Sequence, residues 1–193
     1  MKNLNPALIS YIFPLIAVLI VSVGYNKASS TNHLCKHQYA LCTSALCIPQ
    51  PDDPTKAICF CDVEEGASMA TIPCESIKPS TDTNGIRTVY STFSLKQFTS
   101  GKKGMKCPEG TPWTWCLNKR CTVDPSDSKK AICICDVVRT DEWMTLGGNC
   151  NTSTCKTGYW SGAALKDFDD GVIFLSKVLG MDQTPVKWCQ TSP

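Results

Sequence analysis

Apolar positions follow three different rhythms along this chain. From Ala7 to Gly24 the sequence ALISYIFPLIAVLIVSVG forms an apolar run of 18 residues, interrupted by Pro14 and free of charge between Lys2 and Lys27. The flanks Ala45 to Ile48 and Ala57 to Val63 are short and rich in β-branched and aromatic residues, which predicts strands joined by a stiff polar turn, IPQPDDPTKAI. Ile86 to Leu95 alternates in part and predicts another strand. Near the end, Ala164, Phe168, Val172, Leu175 and Leu179 recur at helical spacing. They predict a helix from Ser161 to Leu179 with Gly180 as its C-terminal cap and Asp167, Asp169 and Asp170 on its polar side.

One octapeptide occurs twice. Lys56-Ala57-Ile58-Cys59-Phe60-Cys61-Asp62-Val63 returns 74 residues later as Lys130-Ala131-Ile132-Cys133-Ile134-Cys135-Asp136-Val137. Cys42 and Cys47 precede the first copy as Cys116 and Cys121 precede the second, and 11 of 24 positions are identical between 40–63 and 114–137. Such a grid predicts a duplicated, cysteine-framed unit.

Fourteen cysteines in 193 residues approach the density of a disulfide scaffold. Either bridges in an oxidising compartment or thiolate metal sites in a reducing one would account for them. The N-terminal run decides. Residues 1–28 have the charged start, apolar middle and small residues of a signal peptide, with an uncleaved membrane anchor as the alternative. The cysteines follow that segment and are expected on the far side of the membrane, so bridges are favoured and the chain is expected to be secreted or periplasmic. A formal charge of +2 gives no reason to expect a nucleic-acid partner.

The expected architecture is therefore small, disulfide-rich and mainly β, with two tandem cysteine-framed modules, short hairpins and one C-terminal α-helix. Module one spans 35–79 and holds Cys35, Cys42, Cys47, Cys59, Cys61 and Cys74. Module two spans 107–150 and holds Cys107, Cys116, Cys121, Cys133, Cys135 and Cys150. Pairing is expected within each group; six cysteines allow 15 arrangements, and spacing does not choose among them. Cys59 and Cys61 point to one face of a strand, so each reaches elsewhere rather than to the other. Cys155 and Cys189 remain and are expected to pair, tying the 151–193 segment to module two. A connector, 80–106, with five basic residues and one acid is expected to be a solvated linker containing a possible strand.

Chemistry is sparse. His33 and His37 flank Cys35, and a metal site there would need a free Cys35 thiolate on a segment expected to be loose, so no metal or cofactor is expected. The paired carboxylates sit in turns, no nucleophile elbow is present, and an even number of cysteines can all pair, so no catalytic residue is assigned and no enzyme is expected. Trp113 and Trp115 could form a stacking platform for a sugar or peptide, or fill a small core. Asn151 opens a glycosylation acceptor, Asn-Thr-Ser. The function expected is binding of a protein or glycan. The alternative is a double-headed protease inhibitor presenting Lys56 and Lys130 from loops 49–56 and 123–130, whose stiffness would limit the entropy lost on binding.

Overall fold

The computed structural model describes residues 31–151, 158–181 and 186–188. The N-terminal apolar run and the Cys155–Cys189 pair lie outside the described residues.

Strands come in chain order as β1 His33–Leu41, β2 Leu46–Gln50, β3 Asp53–Ala70, β4 Ser80–Thr81, β5 Arg87–Tyr90, β6 Phe93–Ser94, β7 Lys103–Cys107, β8 Trp113–Trp115, β9 Arg120–Val123, β10 Lys130–Val138, β11 Trp143–Leu146, β12 Tyr159–Ala164 and β13 Lys187–Trp188. Helix α1, Leu95–Thr99, follows β6, and α2, Leu165–Leu179, follows β12. The protein is thus mainly β, with one main helix.

The two octapeptides form the centre, and they pair with each other. β3 and β10 run antiparallel with Cys59 opposite Cys133, Lys56 opposite Asp136 and Asp62 opposite Lys130. Around this pair the same registers recur at an offset of 74. Cys47 faces Cys59 as Cys121 faces Cys133, and Leu41 faces Asp62 as Trp115 faces Asp136. The tight turns follow suit: Ser44 and Asn118 both have positive φ, 62° and 60°, in turns closed by Ala45 N–H to Cys42 O and Lys119 N–H to Cys116 O.

Six disulfides lie among the described residues, nested in two sets. Cys35–Cys74 encloses Cys42–Cys61, which encloses Cys47–Cys59; Cys107–Cys150 encloses Cys116–Cys135, which encloses Cys121–Cys133. The inner two bridges of each set span separations of 12 and 19 residues. Closing a loop of that size restricts the unfolded chain by about 3 kcal/mol, and less where another bridge already confines it. The sulfurs and small side chains fill the inner face: Ala57, Cys59, Ala131, Cys133 and Cys135 are all buried with Val89 and Ala40.

The 80–106 stretch, expected to be a connector containing a strand, holds strands of the sheet at Arg87–Tyr90 and Phe93–Ser94. β5 pairs with β9 of the second half, Val89 opposite Cys121, and Val89 is fully buried. In return β12, after the second half, pairs with β2 of the first, Tyr159 opposite Cys47. Ser91 N–H donates to Lys119 O, and Ser161 N–H donates to Ala45 O. Each half lends a strand to the other.

The helix starts four residues later than its periodicity predicts. Ser161 lies in β12, where its hydroxyl accepts from Ala45 N–H at 2.8 Å and donates to Cys42 O. No side chain caps α2; its first N–H, from Leu165, is taken by Glu142 O at 2.9 Å. The Gly180 terminus is as expected, left-handed at φ 64°, with Met181 N–H returning to Ser176 O. Phe168 and Leu175 pack inward on Met69, Phe98, Met144 and Leu146. β1 is not loose: all nine of its residues pair with β3, and Cys35 is bridged.

Candidate binding surface

Strand alternation sends successive side chains to opposite faces. With the cysteines turned inward, each octapeptide presents its even-numbered residues outward. The antiparallel register then sets Ile58 opposite Ile134 and Phe60 opposite Ile132, between the two Lys–Asp pairs. Ile48 sits beside Ile58, and Leu46, two positions earlier on β2, shares its face. Large apolar side chains on a sheet are usually covered, yet Phe60 is 53% exposed, Leu46 46%, and Ile48, Ile132 and Ile134 each 43–44%. A contiguous exposed apolar patch of this kind marks an interaction surface more often than scattered single residues do.

The charged corners are internally matched. Lys130 Nζ lies 2.5 Å from Asp62, while Asp136 holds both Lys56 and Lys119, the latter at 2.5 Å. Burial works to raise the Asp136 pKa, but hydrogen bonds from Lys119 and Lys56 and their charges outweigh it and hold the carboxyl below its ordinary value. Hydrogen bonds to Asp136 and Asp62 raise Lys56 and Lys130 respectively.

A depressed folded-state pKa contributes stability above the unfolded aspartate value of about 4 and loses it as pH falls through the folded value. The urea midpoint is expected to drop between pH 5 and pH 2, and Asp136→Asn to flatten that drop while lowering the midpoint at pH 6. An unchanged acid limb in the variant would remove Asp136 from the acid response.

Lys56 and Lys130 therefore stand on strands and in ion pairs, not at loop tips. The first turn has shrunk to Pro51 and Asp52 between β2 and β3. The second, 124–129, is held by Asp124 accepting from Ser126 N–H and Asp127 accepting from Lys129 N–H.

The two tryptophans do not make a common platform. Trp113 is 2% exposed and stacks on Trp143, centroids 5.8 Å apart and planes 11° from parallel. It meets Trp115 edge to face at 83°. Trp115 alone reaches a surface cleft of about 160 Å³, where Phe93, Met69 and Leu117 face Asn32, Asp167 and Asp170. An aromatic wall facing carboxylates suits a sugar hydroxyl edge or a cationic side chain. Asn151 is exposed, next to the bridged Cys150.

Two sulfur clusters, Cys42, Cys61 and Cys133, and Cys59, Cys116 and Cys135, gather within 4.8 Å at equivalent places. All six sulfurs are in disulfides, so they supply no thiolate to a metal. Cys35 likewise leaves His33 and His37 without the third ligand their spacing suggested.

The mutual pairing of the octapeptides escapes a linear reading, although a Lys and an Asp six residues apart in two strands that differ only at Phe60 and Ile134 is its signature. A second signal lies at an offset of 70: Ser91, Leu95, Lys96 and Phe98 return as Ser161, Leu165, Lys166 and Phe168. Ser91 directly follows β5 and Ser161 lies in β12, the two lent strands, while Leu95 and Leu165 open the two helices.

The fold and surface define a small, mainly β, disulfide-rich protein, and the six bridges among its described residues point to an oxidising environment. No family model matches the chain, and neither a curated protein nor a solved structure was found that does. No helix among the described residues is long and apolar enough to cross a membrane.

Proposed function

We propose that this is an exported, non-enzymatic binding protein, made of two copies of one disulfide-framed unit, that engages a protein partner through the outer face of β2, β3 and β10. The observation that carries the reading is the exposed row of Leu46, Ile48, Phe60, Ile132 and Ile134. Nested bridges support it, because a scaffold already rigid loses little entropy when it binds. Export rests on the N-terminal apolar run and the oxidised cysteines together.

The inhibitor reading has less support. A lysine that enters an acidic pocket must be free to project, and Lys56 and Lys130 are each held by an aspartate of the opposite strand. Glycan binding finds its support in the Trp115 cleft, as a site separate from the apolar face.

Phe60→Glu introduces a charge on the face without touching the inner core. The immobilised wild-type protein is expected to retain a partner from its extracytoplasmic milieu, the chain itself included among candidates, that the variant loses. Retention of the same set of proteins by a correctly oxidised Phe60→Glu variant would end the reading.

A further inference from the structure

The outer face carries a charge pattern that identifies its occupant. Lys56, Asp136, Lys130 and Asp62 stand at four corners around the apolar centre, with Lys119 a third lysine held at the Asp136 corner. Lys56 and Lys130 lie on one diagonal and the two aspartates on the other, because the two strands carry Lys and Asp at matching positions and run antiparallel. A face of this kind is complementary to itself. Turning a copy over by 180° about an axis in the sheet plane, along or across the strands, sets a lysine above an aspartate at every corner. With the axis along the strands, Lys56 faces the second copy's Asp136 and Phe60 faces the second copy's Ile132.

We propose that the partner of this face is a second copy of the chain, joined sheet to sheet in a two-fold dimer. The inference rests on the reading of this face as a binding surface and adds the identity of the occupant. Two-fold association uses one patch on both subunits and needs the self-complementarity seen here. Stacked sheets pack about 10 Å apart with their side chains interdigitated, and exposed Phe and Ile side chains provide the filling. The corners add register: charges of opposite sign steer the encounter, and a copy turned to bring lysine over lysine is rejected. A partner with a uniform charge would meet two repelling corners whatever its sign, and a neutral lipid surface would leave all four corners without use. Three strands at about 4.8 Å and seven residues at about 3.3 Å give a patch of about 14 by 23 Å. That is smaller than the plane of a standard interface of roughly 800 Å² per partner, so dissociation in the micromolar range is expected.

The test is analytical ultracentrifugation of the full protein as it leaves an oxidising secretory host, free thiols being assayed in each sample. Wild type is expected to pass from monomer to dimer over the micromolar range, and Phe60→Glu and Ile132→Glu each to weaken dimerisation by about a hundredfold. The decisive pair is Lys56→Asp with Lys130→Asp, giving four acidic corners, and Asp62→Lys with Asp136→Lys, giving four basic ones. Each is expected to be monomeric alone, and an equimolar mixture to form a one-to-one dimer that salt weakens. Should either charge-reversed protein fail to oxidise fully, the two single glutamate variants decide by themselves. A wild type that stays monomeric at roughly 200 µM, a dimer indifferent to Phe60→Glu, or folded charge-reversed proteins that do not combine would each overturn the proposal. If monomeric wild type still retains a different protein through Phe60, or binds neutral phosphatidylcholine vesicles, the second-copy inference falls; in the former case the binding face stands. If nothing depends on Phe60, both fall.

Discussion

Produced separately in an oxidising host, residues 31–106 and residues 107–193 are each expected to remain without a cooperative unfolding transition and to form mixed disulfides. The cause lies in the exchanged strands. In the first fragment β5 has lost β9, and β2 has lost β12, so one edge and one lent strand are left with unpaired N–H and C=O groups. The β3–β10 seam, seven residue pairs long, is split in both fragments. Buried sulfur goes with it: Cys42 Sγ lies 3.3 Å from Cys133 Sγ, and Cys47 Sγ lies 3.1 Å from the Thr114 hydroxyl, both across the halves. The first piece keeps three bridges around little apolar volume, too small to fold on burial alone, while the second keeps its Trp113–Trp143 stack but loses β3 and β5 from the cysteine-lined face. Peptide mapping of the bridges and urea unfolding followed by near-ultraviolet circular dichroism would check this. A 31–106 fragment that forms Cys35–Cys74, Cys42–Cys61 and Cys47–Cys59 in high yield and unfolds cooperatively would show that the halves are independent.

The second large effect is expected at Trp143. Its ring is fully buried, stacked on Trp113, with the indole N–H donating to Thr111 Oγ1 at 3.2 Å. β12 passes so close that a Cβ on Gly162 would lie 2.6 Å from the ring and 2.5 Å from Met144 O. Trp143→Ala therefore opens a cavity that a strand held by both neighbours cannot close, and about 3–5 kcal/mol of stability should be lost. Trp115→Ala, at a half-exposed ring, should cost less. Urea midpoints of the oxidised proteins give both numbers; a loss below about 1 kcal/mol at Trp143 would mean that the Trp113 side relaxes to fill the space.

How much of this could be read from the sequence depends on how local the signal was. The mainly β class and the cysteine-rich frame follow from composition and from cysteines two apart on one strand face. The main helix follows from the spacing of Phe168, Val172, Leu175 and Leu179, and its start at Leu165 rather than Ser161 was hidden because a backbone carbonyl, Glu142 O, takes the first helical N–H in place of any side-chain cap. The charges of 80–106 suggested a solvated linker, but Val89 in its middle is buried against a strand some thirty residues away, and no nearby residue announces that partner. The binding face was half legible. Lys56 and Lys130 stood out as candidates, but their role as corners rather than projecting side chains depends on the antiparallel meeting of two strands that are far apart in the chain. The stack of Trp113 on Trp143 joins residues 30 apart in the chain, and no local spacing announces it.

The exchanged strands also impose a schedule. A chain synthesised N-terminus first completes Leu46–Gln50 well before Tyr159–Ala164 has been made. At ordinary synthesis rates of about 5–20 residues per second, β2 waits on the order of ten seconds for its neighbour. From the synthesis of Cys74 onward, the first half holds six cysteines and an open sheet edge. Oxidation that outruns translation would lock cysteines together before the strand that sets their register has arrived, so correct bridging of the N-terminal half is decided by residues near the other end of the chain.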